Sequence, residues 1–348
     1  MTRLHARLQS ATYDLADAFD ANEFYQARGW TDGLPIVPPT AERVTACLEA
    51  ADLAPDDVVG VERVRQRPIT AEKVAINAVM AGCLPTYTPV VVAILRAMCQ
   101  EPFNLHGSTA STGGSAPFIV VNGPIRETIG MNATHNVLGP GNRANATIGR
   151  AIRLLLINVL GVVPGQLDRS TLGHPGKFTF CIAEDEEDSP WTPLAQQRGV
   201  PQGMSGVTVL ACEAPRQIMN EWTRDPEELL ETFAAEMRHN MLTYSVWSGN
   251  YAVIIPKQLR EVLVAAGWNK QDIGAYLYRA ARLFRRDWAT VGKGNIVNRR
   301  GGPEQEFTAL RGPDDLLVVA AGGPAGGFGM VVPPWLGSKA LAVTQAIV

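Results

Sequence analysis

What this 348-residue chain lacks narrows its role first. Neither sign of charge is in excess: 34 Asp and Glu face 31 Lys and Arg, for a net charge of −3. No Lys/Arg cluster is large enough to neutralise a run of phosphates, which excludes sequence-independent nucleic-acid binding. The densest basic group, Arg279, Arg282, Arg285 and Arg286, alternates with apolar residues and is expected on the solvated face of an amphipathic helix. Long apolar runs are also missing. The longest, Ala151–Val163, is interrupted by Arg153 and falls short of the ~20 residues a membrane helix needs. The first ten residues carry no continuous apolar core of a secretory signal, so a cytoplasmic protein is expected. Cysteine is sparse: Cys47, Cys83, Cys99, Cys181 and Cys212 are dispersed, odd in number and without a C-x-x-C pair. That excludes a zinc ribbon or dithiol motif and fits a reducing compartment. His106, His135 and His174 have no H-x-H or H-x-x-x-H spacing, and neither a P-loop nor a G-x-G-x-x-G fingerprint occurs. The sequence therefore names no metal and no cofactor.

What is present is a 46% hydrophobic chain, enough for a sizeable core. The pattern predicts an α/β fold, a mixed sheet with helices packed on it, and not a classical Rossmann fold. An N-terminal lobe over residues 1–200 and a C-terminal α/β lobe over 201–348 are expected. Helices are expected over Leu8–Arg28, from the Thr40 cap to Leu48, over Thr70–Ala81, from Pro89 behind a Thr88 cap, and over Asn145–Leu160. One edge strand is expected within Asp52–Gln66, and further strands over Phe118–Val121, Lys177–Ala183, Gly206–Glu213, Tyr251–Ile255 and Leu316–Ala321. In the second half, helices are predicted behind Asp225, over Pro256–Ala266 and over Gln271–Arg285.

The chemistry-bearing residues gather in four stretches. In M-A-G-C-L-P-T-Y-T-P, Cys83 stands just ahead of a helix start, where N–H groups and the dipole favour a thiolate; the bland alternative is a small buried hydrophobe. The loop around His106, Ser108, Thr109 and Thr112 offers hydroxyls and backbone donors to an anion, or is simply a connection. Asn122 follows at a strand end. Asn142, Arg143, Asn145 and Thr147 crowd a helix N-terminus, again favourable to an anion. Lys177 opens the last stretch, which ends in Glu184, Asp185, Glu186, Glu187 and Asp188. Glu184 and Glu187 are candidate proton acceptors there, against the plainer role of a solvated acidic turn. Arg143 and Lys177 are expected to converge on one anion site.

The motifs T-D-G-L-P-I-V-P-P-T, N-A-V-M-A-G-C-L-P-T-Y-T-P-V-V, N-G-P-I, G-P-G-N-R-A-N-A-T-I-G-R-A and T-L-G-H-P-G-K-F-T-F-C-I-A-E-D-E-E-D-S-P-W run in order through nearly the whole chain. Together with the closing strand and A-G-G segment they resemble the large protein that accompanies, or is fused to, bacterial UGSC-motif (seleno)proteins. The resemblance implies a thiol- or selenol-linked redox setting. No U-G-S-C or C-G-S-C segment occurs, so a redox-active thiol or selenol would come from a separate protein. Thr86 also stands where the resemblance leads one to expect Glu. Two functions are thus expected of this chain. One is a thiol-dependent enzyme (oxidoreductase, lyase or hydrolase type) acting on a small anionic substrate through Cys83. The other is a non-catalytic subunit that binds a substrate or redox partner. A homo-oligomer is expected in either case.

Overall fold

Strands that are apolar at every position must be covered on both faces, and the computed structural model, which describes residues 7–244, 246–295 and 301–348, shows how. In chain order the elements are α1 (Ala18–Ala27), α2 (Ala41–Ala50), β1 (Val58–Glu62), β2 (Arg67–Thr70), α3 (Ala71–Ala81), α4 (Thr88–Met98), α5 (Leu105–Thr109), β3 (Ala116–Asn122), α6 (Ile125–Thr128) and α7 (Arg143–Asn158). There follow β4 (Cys181–Ala183), α8 (Leu194–Gln197), β5 (Gly206–Cys212), β6 (Arg216–Met219), α9 (Pro226–Thr243), β7 (Ala252–Ile255), α10 (Lys257–Ala265) and α11 (Lys270–Ala280). The chain closes through β8 (Arg282–Phe284), β9 (Glu306–Thr308), β10 (Leu317–Ala320), β11 (Phe328–Val332) and β12 (Val343–Ala346).

Two four-stranded sheets form the centre, ordered β12-β5-β3-β4 and β10-β7-β11-β6. Each holds one parallel pair, β3 with β4 and β10 with β7, among antiparallel neighbours. Alternate residues then sort into layers. Ile119, Val121, Val207 and Val209 face a core shared with α2, α3, α4 and α7. Val253, Ile255, Val318 and Val331 face α9, α10 and α11. The opposite sides, with Phe118, Val120 and Leu210 from one sheet and Ile254, Val319 and Val332 from the other, pack on each other. The fold is a four-layer α/β/β/α arrangement, a mixed α/β class as expected. β5 and β12, both beyond residue 200, are strands of the first sheet, so the passage from one sheet to the other falls after Cys212.

Several boundaries differ from expectation for local reasons. The N-terminal helix is only α1, started by Asp17, whose Oδ1 accepts from Phe19 N (2.8 Å) and Asp20 N (2.9 Å). Residues 8–17 lie outside it, tied to α3 where the buried Glu72 carboxylate accepts from Gln9 N (3.1 and 3.0 Å) and Ser10 N (2.8 Å). The strand expected within Asp52–Gln66 is β1, and β2, just beyond that range, pairs with it antiparallel. Thr88 does not cap: a 3-10 turn at Pro85–Tyr87 carries the helical path backwards, and Thr88 is already inside α4. Within 177–183 only Cys181–Ala183 is strand, because Pro175–Lys177 makes a 3-10 turn whose Gly176 N donates to His174 Nδ1 (3.2 Å). Helix α11 stops at Ala280, and the next residues join β9. The basic group is thereby divided among a helix end (Arg279), a strand (Arg282) and a 3-10 helix (Arg285 and Arg286), with Arg282 paired to Glu306 (2.9 Å) and Arg286 to Glu304.

Candidate functional site

Three stretches flagged in the sequence meet at Cys83. Gly82, at φ +94°, closes α3 in the left-handed region that suits glycine, and Cys83 N donates to Ala78 O (2.9 Å). From α7, Arg143 Nε donates to Gly82 O (2.9 Å). Two turns further on, Arg150 forks onto Asp32 (Nε to Oδ2 2.8 Å, a terminal nitrogen to Oδ1 2.9 Å) and reaches Pro35 O (2.8 Å). The T-D-G-L-P turn is thus fastened to the same helix face. Asp32 is thus an arginine partner, and Arg150 is not among the residues that the sequence singles out.

The thiol itself differs from expectation. Cys83 is 7% exposed, and burial pushes its pKa up to about 12, although Thr147, Arg143 and Arg150 act in the other direction. The helix that was to stabilise a thiolate starts two residues on, behind Leu84, and removal of water outweighs its dipole. Arg143 is exposed, and its terminal nitrogens have no hydrogen-bond or ion-pair partner among the described residues.

The other expected site residues lie elsewhere. Asn142 and Asn145 serve structure. Asn142 Oδ1 caps Asn145 N (3.0 Å) and its Nδ2 donates to Gly130 O (2.7 Å), while Asn145 exchanges bonds with the Asn132 backbone (3.0 and 2.8 Å). Together they hold residues 130–141 on the start of α7. Lys177 does not meet Arg143, because it sits beside Arg153, ten residues or about 15 Å along α7. There Lys177 Nζ binds Asp168 Oδ2 (2.6 Å) and Ser170 Oγ (2.8 Å). Ser108 and Thr109 border the same small cavity as Lys177, yet both hydroxyls donate to Leu105 O (3.2 and 2.7 Å). Thr112 contributes its carbonyl to Thr171 N (2.9 Å), and Gly114 lets the loop meet Gly173, where a Cβ would come within 2.7 Å. The loop is packed, not open for a ligand. His106 lies by an acid, with Nδ1 3.9 Å from Glu62, and so is not placed for an anion.

The acidic run is matched charge by charge. Glu184 is 1% exposed and accepts from Lys270 Nζ (2.5 Å), Asn122 Nδ2 (2.7 Å), Leu194 N (2.7 Å) and Ala320 N (3.2 Å). Asp185 takes the buried Arg260 (2.8 Å), and Asp188 takes Lys257 (2.9 Å). Arg126 holds Glu186 (3.1 Å) and Glu187 (2.8 Å). The Arg126 bond keeps Glu187 down to about 2, so it is a poor base near neutrality. Glu184 and Glu187 are accordingly not proton acceptors beside Cys83, and Asn122 is a ligand of Glu184. Sequence reasoning missed Arg126, Arg260 and Lys270, whose positions carry no local signal. No group of three or more His, Cys, Asp or Glu placed to hold a metal occurs among the described residues.

A larger cleft of about 1340 Å³ lies along residues 7–18, against Pro38–Ala41 and Glu72, and none of the expected site residues borders it. No family model, curated protein or solved structure matches the chain. The likeness to UGSC-associated proteins therefore rests on the quoted motifs alone. No helix among the described residues is long and apolar enough to cross a membrane.

Proposed function

We propose that this protein binds a small anionic molecule at the Cys83 joint and positions it for a separate redox-active thiol or selenol protein, without performing thiol chemistry alone. The observation that carries the reading is Arg143: an exposed guanidinium, fixed by one bond to Gly82 O, with its terminal donors unfilled. Such a fork suits a carboxylate or phosphate. Cys83, kept protonated by burial, would line the floor of this site. Five free thiols fit a reducing, cytoplasmic setting.

A thiol-dependent enzyme is the second reading, favoured by Thr147, Arg143 and Arg150 all acting to lower the thiol's pKa. Titration calorimetry with succinate and with inorganic phosphate separates the two. Arg143→Ala should weaken binding at least tenfold, by roughly the worth of a charge-assisted pair. Cys83→Ser should leave binding intact. If neither probe binds the wild type, or Arg143→Ala binds as well as the wild type, the positioning proposal fails.

A further inference from the structure

Trp222, in the turn between β6 and α9, is the most exposed aromatic side chain among the described residues, at 75%. A tryptophan left in water forgoes most of what its large apolar surface could contribute, yet this one is held in place. Trp222 N donates to Asn220 Oδ1 (3.2 Å), Asn220 Nδ2 donates to Thr232 Oγ1 of α9 (2.9 Å), and Asp225 N donates to Thr223 Oγ1 (3.0 Å). The turn is thereby fixed on both sides of the indole. Asn220 N also donates to Gly327 O (2.8 Å), and Gly327 N to Gln258 Oε1 of α10 (3.0 Å), so β11 and α10 meet the turn at one corner. Exposed Met219 and Phe328, opposite each other on β6 and β11, widen the apolar patch there.

Beside this projection lies a hollow. A surface pocket of about 310 Å³ is lined by Arg224, two residues after Trp222, and by Glu261, Val262, Ala265 and Ala266 at the end of α10. Its volume is that of a small ligand pocket and its apolar wall is aliphatic, which suits one indole ring. Arg224 and Glu261 are both exposed, and neither has a hydrogen-bond or ion-pair partner among the described residues. Lys257, whose field reaches Glu261, is already paired to Asp188 (2.9 Å). A projecting anchor, a hollow and one free charge of each sign on a single face are what a two-fold axis requires, because each copy then presents what the other lacks. We propose that this face is the contact of a symmetric homodimer, in which Trp222 of each copy fills the pocket of the other and Arg224 meets Glu261 of the other copy on both sides of the axis. A different partner would have to bring its own anchor and both charges, whereas a second copy carries all three by symmetry. The contact does not involve the Cys83 joint and is independent of the anion binding proposed there.

Sedimentation velocity in about 20 mM salt, where exposed charges are little screened, reads the assembly. The wild type at ~100 µM should sediment as a dimer of the 37.5 kDa chain. Trp222→Ala removes two anchors per dimer and should raise the dissociation constant about 10³-fold. Arg224→Glu and Glu261→Arg each set like charges against one another and should each raise it roughly tenfold. The double variant restores both pairs with their signs exchanged and should return to within about threefold of the wild type. Phe19→Ala, at an exposed aromatic outside this face, should dimerise as the wild type does. Circular dichroism should show every variant folded, since each change is at an exposed side chain. A monomeric wild type leaves the face to some other protein and overturns the proposal. So does a Trp222→Ala protein that dimerises as tightly as the wild type, a double variant no tighter than either single one, or a dimer that Phe19→Ala dissociates.

Discussion

The joint at residues 184–188 and the helix α7 use the same kinds of residue to opposite ends. At the joint, five consecutive carboxylates meet Lys270, Arg260, Arg126 and Lys257, and each acid finds a cation. Ala320 N donates to Glu184, and Asp185 N donates to Ala320 O (2.7 Å), so the ends of β4 and β10 are locked together across the two sheets. On α7, three arginines share one matched acid: Arg150 has Asp32, while Arg143 and Arg153 keep unfilled donors. Matched charge in a buried place builds the fold. Unfilled donors at an exposed position are left to water or to a ligand.

The largest effect should come from unmatching the joint. Lys270→Ala leaves the Glu184 carboxylate buried without its cation and should cost ~3–5 kcal/mol. Arg143→Ala removes an exposed side chain with one hydrogen bond and should cost under ~0.5 kcal/mol. Urea unfolding of the two variants beside the wild type measures both. Similar losses would erase the distinction between the two regions.

Legibility in the sequence followed the range of the forces involved. Asp17, Thr40, Asn142 and Asp225 act within three residues: the helices behind Thr40 and Asp225 begin as expected, whereas α7 begins two residues before Asn145 and α1 ten residues after Leu8. Continuous apolar strands were visible as well, though not that two sheets would stack, since nothing local says which strand pairs with which. At the site, the cluster of Gly82, Cys83, Arg143 and Thr147 could be approached because each lies at a helix end. The partners of Glu184 could not: Lys270 is 86 positions away and opens an ordinary amphipathic helix. Arg153 does give a signal, a charge inside an apolar run, but alone that signal argues only against a membrane span.

Acidification should affect the two regions in different windows. His174 lies beside Lys177 and Arg153, and burial first, then those two cations, lower its pKa from 6.5 to about 4. The unfolded chain therefore binds this proton more readily. Stability is complete above pH 6.5 and is lost as the pH falls toward 4, by up to ~3 kcal/mol. His174→Gln should flatten that limb. At the joint, the Arg126 bond holds Glu187 at about 2 instead of 4.5, so its contribution is complete above pH 4.5 and disappears as the pH falls toward 2. Because half of its side chain is exposed, solvent screening limits the loss to under ~1 kcal/mol. Denaturant midpoints across pH 2–8 for the wild type, His174→Gln and Glu187→Gln resolve both limbs. A wild-type profile that is level between pH 6.5 and 4 contradicts the buried neutral His174.

The expected change in stability at Cys83 is also small, yet this residue bears most on function. Serine is nearly isosteric, and Thr147 stands close enough to partner a hydroxyl, so Cys83→Ser should shift stability by under ~1 kcal/mol. Reactivity is the sharper measure. A thiol moved from 9.0 to about 12 has about 10³ times less thiolate at neutral pH than an unperturbed one. Cys99, pushed only to about 11 and less buried, should be alkylated by iodoacetamide before Cys83, with Cys47, Cys181 and Cys212 protected by burial. Mass-spectrometric mapping of the first modified cysteine decides the order. If Cys83 reacts first, the two arginines beside it have prevailed over burial in solution, and the thiol-dependent enzyme becomes the better account of this site.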